Sequence, residues 1–226
     1  VSAPLRWAGL SAIVAGVIFA AIQPIHPPDT IDSVGTSSWA VIQSLKLAMC
    51  ILFLLGVTGL YARQARRTGW LGQTGYLALF ISWALQTGFV FTNALVLPQL
   101  SAMAPAFVEG FLGIAAGTAA AASTGPLAQL YLAVGLLYLL GGVLFGVATF
   151  RAAVLPRGAG ALLAVGAVLP LLVTTIVIHP YDRYFAVPVA AAFVWMGYAL
   201  LTGSRRRVAE AAPEPVGTPF SPTPIE

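Results

Sequence analysis

The sequence predicts an all-α protein, a polytopic transmembrane bundle of six helices with both termini cytoplasmic. Three observations predict it. First, of 226 residues 59% are hydrophobic and only 8% charged, against roughly 25% charged in a soluble chain, so there are too few charges to cover a globular surface. Second, the mean hydropathy is +0.90. Third, apolar runs of membrane-crossing length recur. A helix needs about 20 residues to cross a ~30 Å hydrocarbon core, and six stretches qualify: Leu5–Ile25, Trp39–Tyr61, Leu71–Leu97, Leu127–Phe150, Ala159–Ile178 and Tyr184–Gly203. Each is bounded by Pro, Gly or charge, and none alternates with the period of a membrane barrel strand.

Taken in order, the first span has a weakly charged flank and no small-x-small cleavage site after it, so it is expected to be retained rather than removed as a signal peptide. The second carries Trp39, Gln43, Lys46 and Cys50 at i, i+4, i+7, i+11, one stripe of a helix. The third repeats the pattern with Ser82, Gln86 and Asn93. In the long connection from Pro98 to Pro126, Pro105 suits a first helical turn. A helix near 105–116 would set Phe107, Phe111, Leu112 and Ile114 against Glu109, Gly113 and Ala116. Such a helix would rest on the outer interface or fold over the bundle; a plain loop is the alternative. In the fourth span Gly142 and Gly146 form a G-x-x-x-G, a common helix-packing signal. Pro170 and Pro188 interrupt the last two spans. Residues 1–204 thus make the transmembrane domain. Residues 205–226 are a basic stop followed by a Pro-rich cytoplasmic tail that is expected to be disordered, because it has little apolar surface to bury.

Orientation follows from the basic residues. If six spans alternate, Arg6, Arg63, Arg66, Arg67, Arg151, Arg157, Arg205, Arg206 and Arg207 share one side, which the positive-inside rule makes cytoplasmic. Asp29, Asp32, Glu109 and Asp182 fall on the other. Ten arginines against one lysine, with abundant alanine, suggest a high-GC bacterial genome and hence a bacterial plasma membrane. Val1 is expected to reflect a GTG start read literally or a trimmed chain. The expected partners are the lipid bilayer, a small-molecule or lipid ligand, and a further copy of the chain in a homo-oligomer. The net charge of +4 does not make this a nucleic-acid protein, because the composition is that of a membrane bundle. Cys50 is the single cysteine, so neither a disulfide framework nor thiol redox chemistry is available within the chain.

Function is expected in the polar residues. Polar groups inside spans are costly and usually face the bundle interior or a cavity. With the orientation above, they gather in the outer half, while the inner half is Leu, Ala, Gly and Val. A pocket opening to the extracytoplasmic side is therefore expected, with Gln23, Gln43, Lys46, Gln86, Asn93 and Glu109 as ligand-binding candidates. Lys46 has structural readings as well, snorkelling to the headgroups or pairing with Asp29, Asp182 or Glu109. The two histidines lie in an I-H-P-x-D repeat, Ile25 to Asp29 and Ile178 to Asp182. Either they serve helix ends, or His26 and His179 with Glu109 or an aspartate, Asp29 or Asp182, hold a transition metal, or the imidazoles ligate a haem iron. No catalytic signature such as H-E-x-x-H, G-x-S-x-G, a Walker loop or C-x-x-C is present. A binding or accessory protein is the leading expectation and an enzyme the lesser one; a small-molecule transporter and a metal- or haem-binding protein are the alternatives.

The stretch Phe150-Arg151-Ala152-Ala153-Val154-Leu155-Pro156-Arg157-Gly158, with the Leu60-Tyr61-Ala62-Arg63 exit of the second span, resembles segments of small six-span bacterial membrane proteins known only as domains of unknown function. The layout matches over roughly residues 5–203. Gly158 stands where those proteins typically carry tryptophan. The resemblance implies a six-span helical membrane protein and no catalytic residues.

Overall fold

The computed structural model describes residues 3–118, 124–173, 177 and 181–210, and these residues form helices and no strands. The expected tail lies, from residue 211 on, outside the described residues. Helix α1 spans Ala3–Ala21. It stops short of Ile25 because Pro24, which lacks an N–H, turns the preceding residue out of helical geometry. A single turn, α2 (Ile31–Val34), precedes α3 (Ser37–Phe91), whose first turn is capped by Thr36 accepting from the Trp39 N–H.

The α3 element is two antiparallel arms. Gly69 breaks it at φ 56°, ψ −154°, a conformation essentially reserved for glycine. Tyr61 stacks on Tyr76 with centroids 4.5 Å apart, and Phe53 on Trp83 at 4.2 Å. The connection expected across residues 62–70 is thus helical nearly to its end. Arg63, Arg66 and Arg67 ride the last turns of the first arm, where basic side chains suit the negative helix end. Thr68 Oγ1 donates back to the Gln64 and Ala65 carbonyls in the last turn before the break.

The second arm ends in a π-helical turn, Thr92–Val96, followed by α4 (Leu97–Leu100). Pro98 explains the turn. In π register the Leu97 N–H bonds the Thr92 carbonyl, so the next donor would serve Asn93, and proline has none. The Asn93 carbonyl instead accepts from the Trp39 indole N–H at 2.9 Å, across the two arms.

Helix α5 (Pro105–Ala116) begins with proline in its first turn and ends on Gly117 at φ 70°. It is the helix the sequence predicted there. It lies over one end of the bundle, with Val108, Phe111 and Leu112 buried among Val34, Trp39, Leu97 and Val134. Helices α6 (Leu127–Ala152), α7 (Arg157–Val173, with Pro170 inside) and α8 (Val187–Glu210) complete the chain, a 3-10 turn at Tyr181–Ala186 leading into α8.

Small residues set the order of packing. Gly56 meets Ala12 between α1 and the first arm, and Gly75 meets the Phe145 backbone between the second arm and α6. Gly146 meets Gly160 between α6 and α7, Gly166 meets Val189 between α7 and α8, and Gly16 meets Ala190 where α8 closes back on α1. Each helix packs beside its neighbours in sequence, so the bundle is a closed ring. The G-x-x-x-G is a packing seam: a Cβ on Gly146 would lie 2.6 Å from the Gly160 carbonyl oxygen.

Inside the ring Phe53, Phe145, Phe193 and Met196 are fully buried. Outside, Leu132, Leu136 and Leu140 run as an exposed apolar stripe along α6, and Val14 and Val17 are exposed on α1. Among the described residues, four helical elements are long and apolar enough to cross a membrane: Ala3–Ala21, Ser37–Leu100, Leu127–Ala152 and Arg183–Gly203. Such a chain is suited to a membrane, where an apolar exterior costs nothing.

Candidate functional site

One end of the ring is polar. It is the end reached by the α1–α3 connection, the π turn, α5 and the 3-10 turn before α8. The opposite end carries Arg63, Arg66 and Arg67 near Gly69, and Arg151 and Arg157 at the α6–α7 turn. Those two turns are tied by Gln64 Nε2 donating to Thr149 Oγ1 at 2.8 Å.

A cavity of about 330 Å³ opens at the polar end. Its floor is aromatic: Phe19 and Tyr138 each pack edge-on against Trp83. Its walls include Gln23, His26, Asp29, Lys46, Gln86 and Arg183. A smaller pocket of about 60 Å³ adjoins it, sharing Asp29, Lys46, Gln86 and Tyr131 and adding Asn93 and the inner face of α5.

Closure of the ring is what assembles this site. Because α8 returns to α1, Arg183 at the start of the 3-10 turn reaches Asp29 after α1, and the two form an ion pair whose side chains are 14% and 17% exposed. His26 lies between that pair and the first arm of α3. Its Nδ1 is 2.7 Å from the Pro27 carbonyl and its Nε2 is 3.1 Å from Lys46 Nζ. A carbonyl can only accept and an ammonium can only donate. So Nδ1 carries the hydrogen and donates to Pro27, and Nε2 accepts from Lys46. Electrostatics agree with this neutral tautomer. Burial, then the charges of Lys46 and Arg183, outweigh Asp29 and the Pro27 bond and hold the imidazole down to about 4 from its ordinary 6.5.

The sequence candidates divide by position. Gln23, Lys46 and Gln86 line the larger cavity, and Asn93 lines the smaller. Gln23 Nε2 is engaged with its own helix at Phe19 O, and Asn93 Nδ2 likewise with Phe89 O. Gln43 lies on the inward stripe at 1% exposure but lines neither cavity, which opens lower on that helix, beside Lys46 and Met49. Glu109 is exposed, because α5 turns Val108, Phe111 and Leu112 inward and leaves position 109 outward. Of the metal candidates, His26 and Asp29 are at the cavity. His179 and the Asp182 side chain lie outside what the structure describes. Among the described residues no three His, Cys, Asp or Glu side chains come together to hold a metal ion. The Nε2 lone pair that would face a metal is occupied by Lys46.

Arg183, Trp83, Tyr131 and Tyr138 belong to the site and were not among the sequence candidates. Two of them had a signal. Arg183 is the one arginine that the alternation of spans leaves on the acidic side, and Trp83 sits three residues before Gln86 on the same helix face. Among the described residues Trp83 is 4% exposed and its indole N–H has no partner.

Compared with known protein families, curated proteins and solved structures, the chain matches none.

Proposed function

We propose that this is a six-span protein of a bacterial plasma membrane, with cytoplasmic termini, that binds a small molecule in a cavity facing the extracytoplasmic side. The arms of α3 and the shorter α7 supply the crossings beyond α1, α6 and α8. The concentration of arginines at the end opposite the cavity supports the orientation, and the segment resemblance noted above agrees with the layout.

The cavity carries the functional reading. Small-molecule sites are typically concave, about 300–1,000 Å³, mostly apolar, with a few placed polar groups. This one has the volume, an aromatic floor and one ring of polar side chains. Binding is favoured over transport because Phe53, Phe145 and Phe193 fill the bundle below the cavity, which leaves no open way through among the described residues. No arrangement of nucleophile, base and orienting group accompanies the cavity among the described residues, which favours a binding or accessory role over catalysis.

The test is thermal unfolding of the detergent-purified protein with a panel of small monocarboxylates, amides and amines. A ligand at 100 times its Kd stabilises by about 2.7 kcal/mol. At least one class is expected to raise the Tm of the native protein and not that of Gln86→Phe, whose ring fills the cavity. A panel without effect on either protein overturns the reading.

A further inference from the structure

Resting on that binding reading, the chemistry of the cavity narrows its ligand. The charged groups facing it among the described residues are Asp29, Lys46 and Arg183. Asp29 and Arg183 are joined to each other. His26 is the neutral Nδ1–H tautomer and takes one hydrogen of the Lys46 ammonium. Two ammonium hydrogens remain, and no carboxylate among the described residues lies within ion-pair distance of Lys46. A buried cation left this way is costly without a counter-charge. Two further side chains on the cavity wall, Gln86 and Tyr138, make no side-chain hydrogen bond among the described residues, whereas the unmet Trp83 indole N–H is buried away from the cavity space. The ammonium can only donate, whereas the amide and the phenol can donate or accept. Phe19, Ile22, Val90 and the rings of Trp83 and Tyr138 supply apolar surface.

We infer that the cavity takes a small monocarboxylate with an apolar body: the carboxylate accepts from Lys46 Nζ and the Gln86 amide, and the body lies against Phe19 and the Tyr138 ring. A dianion is disfavoured because only one positive charge is left uncompensated. A cation is disfavoured because it would displace Lys46 from His26. A neutral molecule would leave the ammonium without its counter-charge.

Benzoate and its neutral counterpart benzamide test this by isothermal titration on the purified full chain. Benzoate is expected to bind about tenfold or more tightly than benzamide, since a hydrogen bond to a charged group exceeds one to a neutral group by that order. Lys46→Met is expected to lower benzoate affinity about tenfold or more and to leave benzamide nearly unchanged. Gln86→Leu is expected to lower benzoate affinity about fivefold, one neutral-donor bond. Equal binding of the two probes, or benzoate binding undiminished in Lys46→Met, overturns the carboxylate assignment and leaves the cavity as a binding site for something else. If Lys46→Met does not fold, the benzoate–benzamide ratio and Gln86→Leu decide alone. A long-chain fatty acid that binds where benzoate does not would overturn the small free ligand in favour of a lipid source. Failure of every probe, together with a silent panel above, overturns both readings.

Discussion

The bond from the Trp39 indole to the Asn93 carbonyl sets a quantitative test of how the two arms of α3 are held. Trp39 is fully buried and belongs to the apolar cluster under α5. Replacing it with phenylalanine removes the donor and part of the ring. The carbonyl it served has no substitute donor, because Pro98 stands where the backbone N–H would be. An acceptor left unsatisfied costs about 1–3 kcal/mol, and the lost ring atoms add a packing cost of their own. Pro98→Ala separates the two costs. It restores a backbone N–H that reaches Asn93 in the π register, or lets the helix tighten so that Leu97 does so. In that background Trp39→Phe should cost only the packing part. Reversible unfolding in mixed micelles with a denaturing detergent, followed by far-ultraviolet circular dichroism, gives the four stabilities. The expected coupling between the two sites is about 1–3 kcal/mol, well above the ~0.5 kcal/mol scatter of independent sites. Coupling within that scatter would refute the reasoning that the indole replaces the donor proline lacks.

Two further outcomes follow from the same geometry. His26 is held down to about 4 in the folded chain against an ordinary 6.5, so the folded state binds fewer protons than the unfolded chain between those values. Stability is therefore intact above about pH 6.5, falls as the pH drops toward 4, and falls no further from this group below that. The loss is on the order of 1–3 kcal/mol, and it should vanish from the pH–Tm profile of His26→Gln; an unchanged profile removes the group from the account. Gly69→Ala forces a Cβ into a backbone conformation essentially reserved for glycine and should cost about 1–3 kcal/mol in the same micelle assay; a neutral effect would mean that the arms turn differently.

The helical bundle was legible because the bilayer demands long uninterrupted apolar runs, and composition alone reveals them. Pro105 and the spacing of Phe111 and Leu112 were enough to place α5. The turn between the arms was not legible at its true length. Arginines at 63, 66 and 67 look like a loop, yet at a helix C-terminus they are compatible with continued helix, and only Gly69 has to break it. At the site, Gln23, Lys46 and Gln86 were readable as polar residues inside apolar runs. Asn93 was readable too, but its backbone carbonyl rather than its side chain carries the contact between the arms. Gln43 could not be told from Lys46 by spacing, since both lie on the inward stripe and only the position of the cavity along it separates them. The Asp29–Arg183 pair lies beyond sequence reasoning, because it depends on α8 closing against α1. That closure is set by small residues, Gly16 and Ala190, whose pairing no spacing reveals.

The most direct measurement of the central claim is the reach of solvent into the cavity from one side only. In a Cys50→Ala background, Gln86→Cys and, separately, Arg66→Cys are exposed to a membrane-impermeant thiol reagent in right-side-out vesicles. The expected result is that Cys introduced at 86 reacts in sealed vesicles and is protected by benzoate, while that at 66 reacts only after the membrane is opened. Reaction at 66 but not at 86 in sealed vesicles would contradict an outward-facing binding cavity.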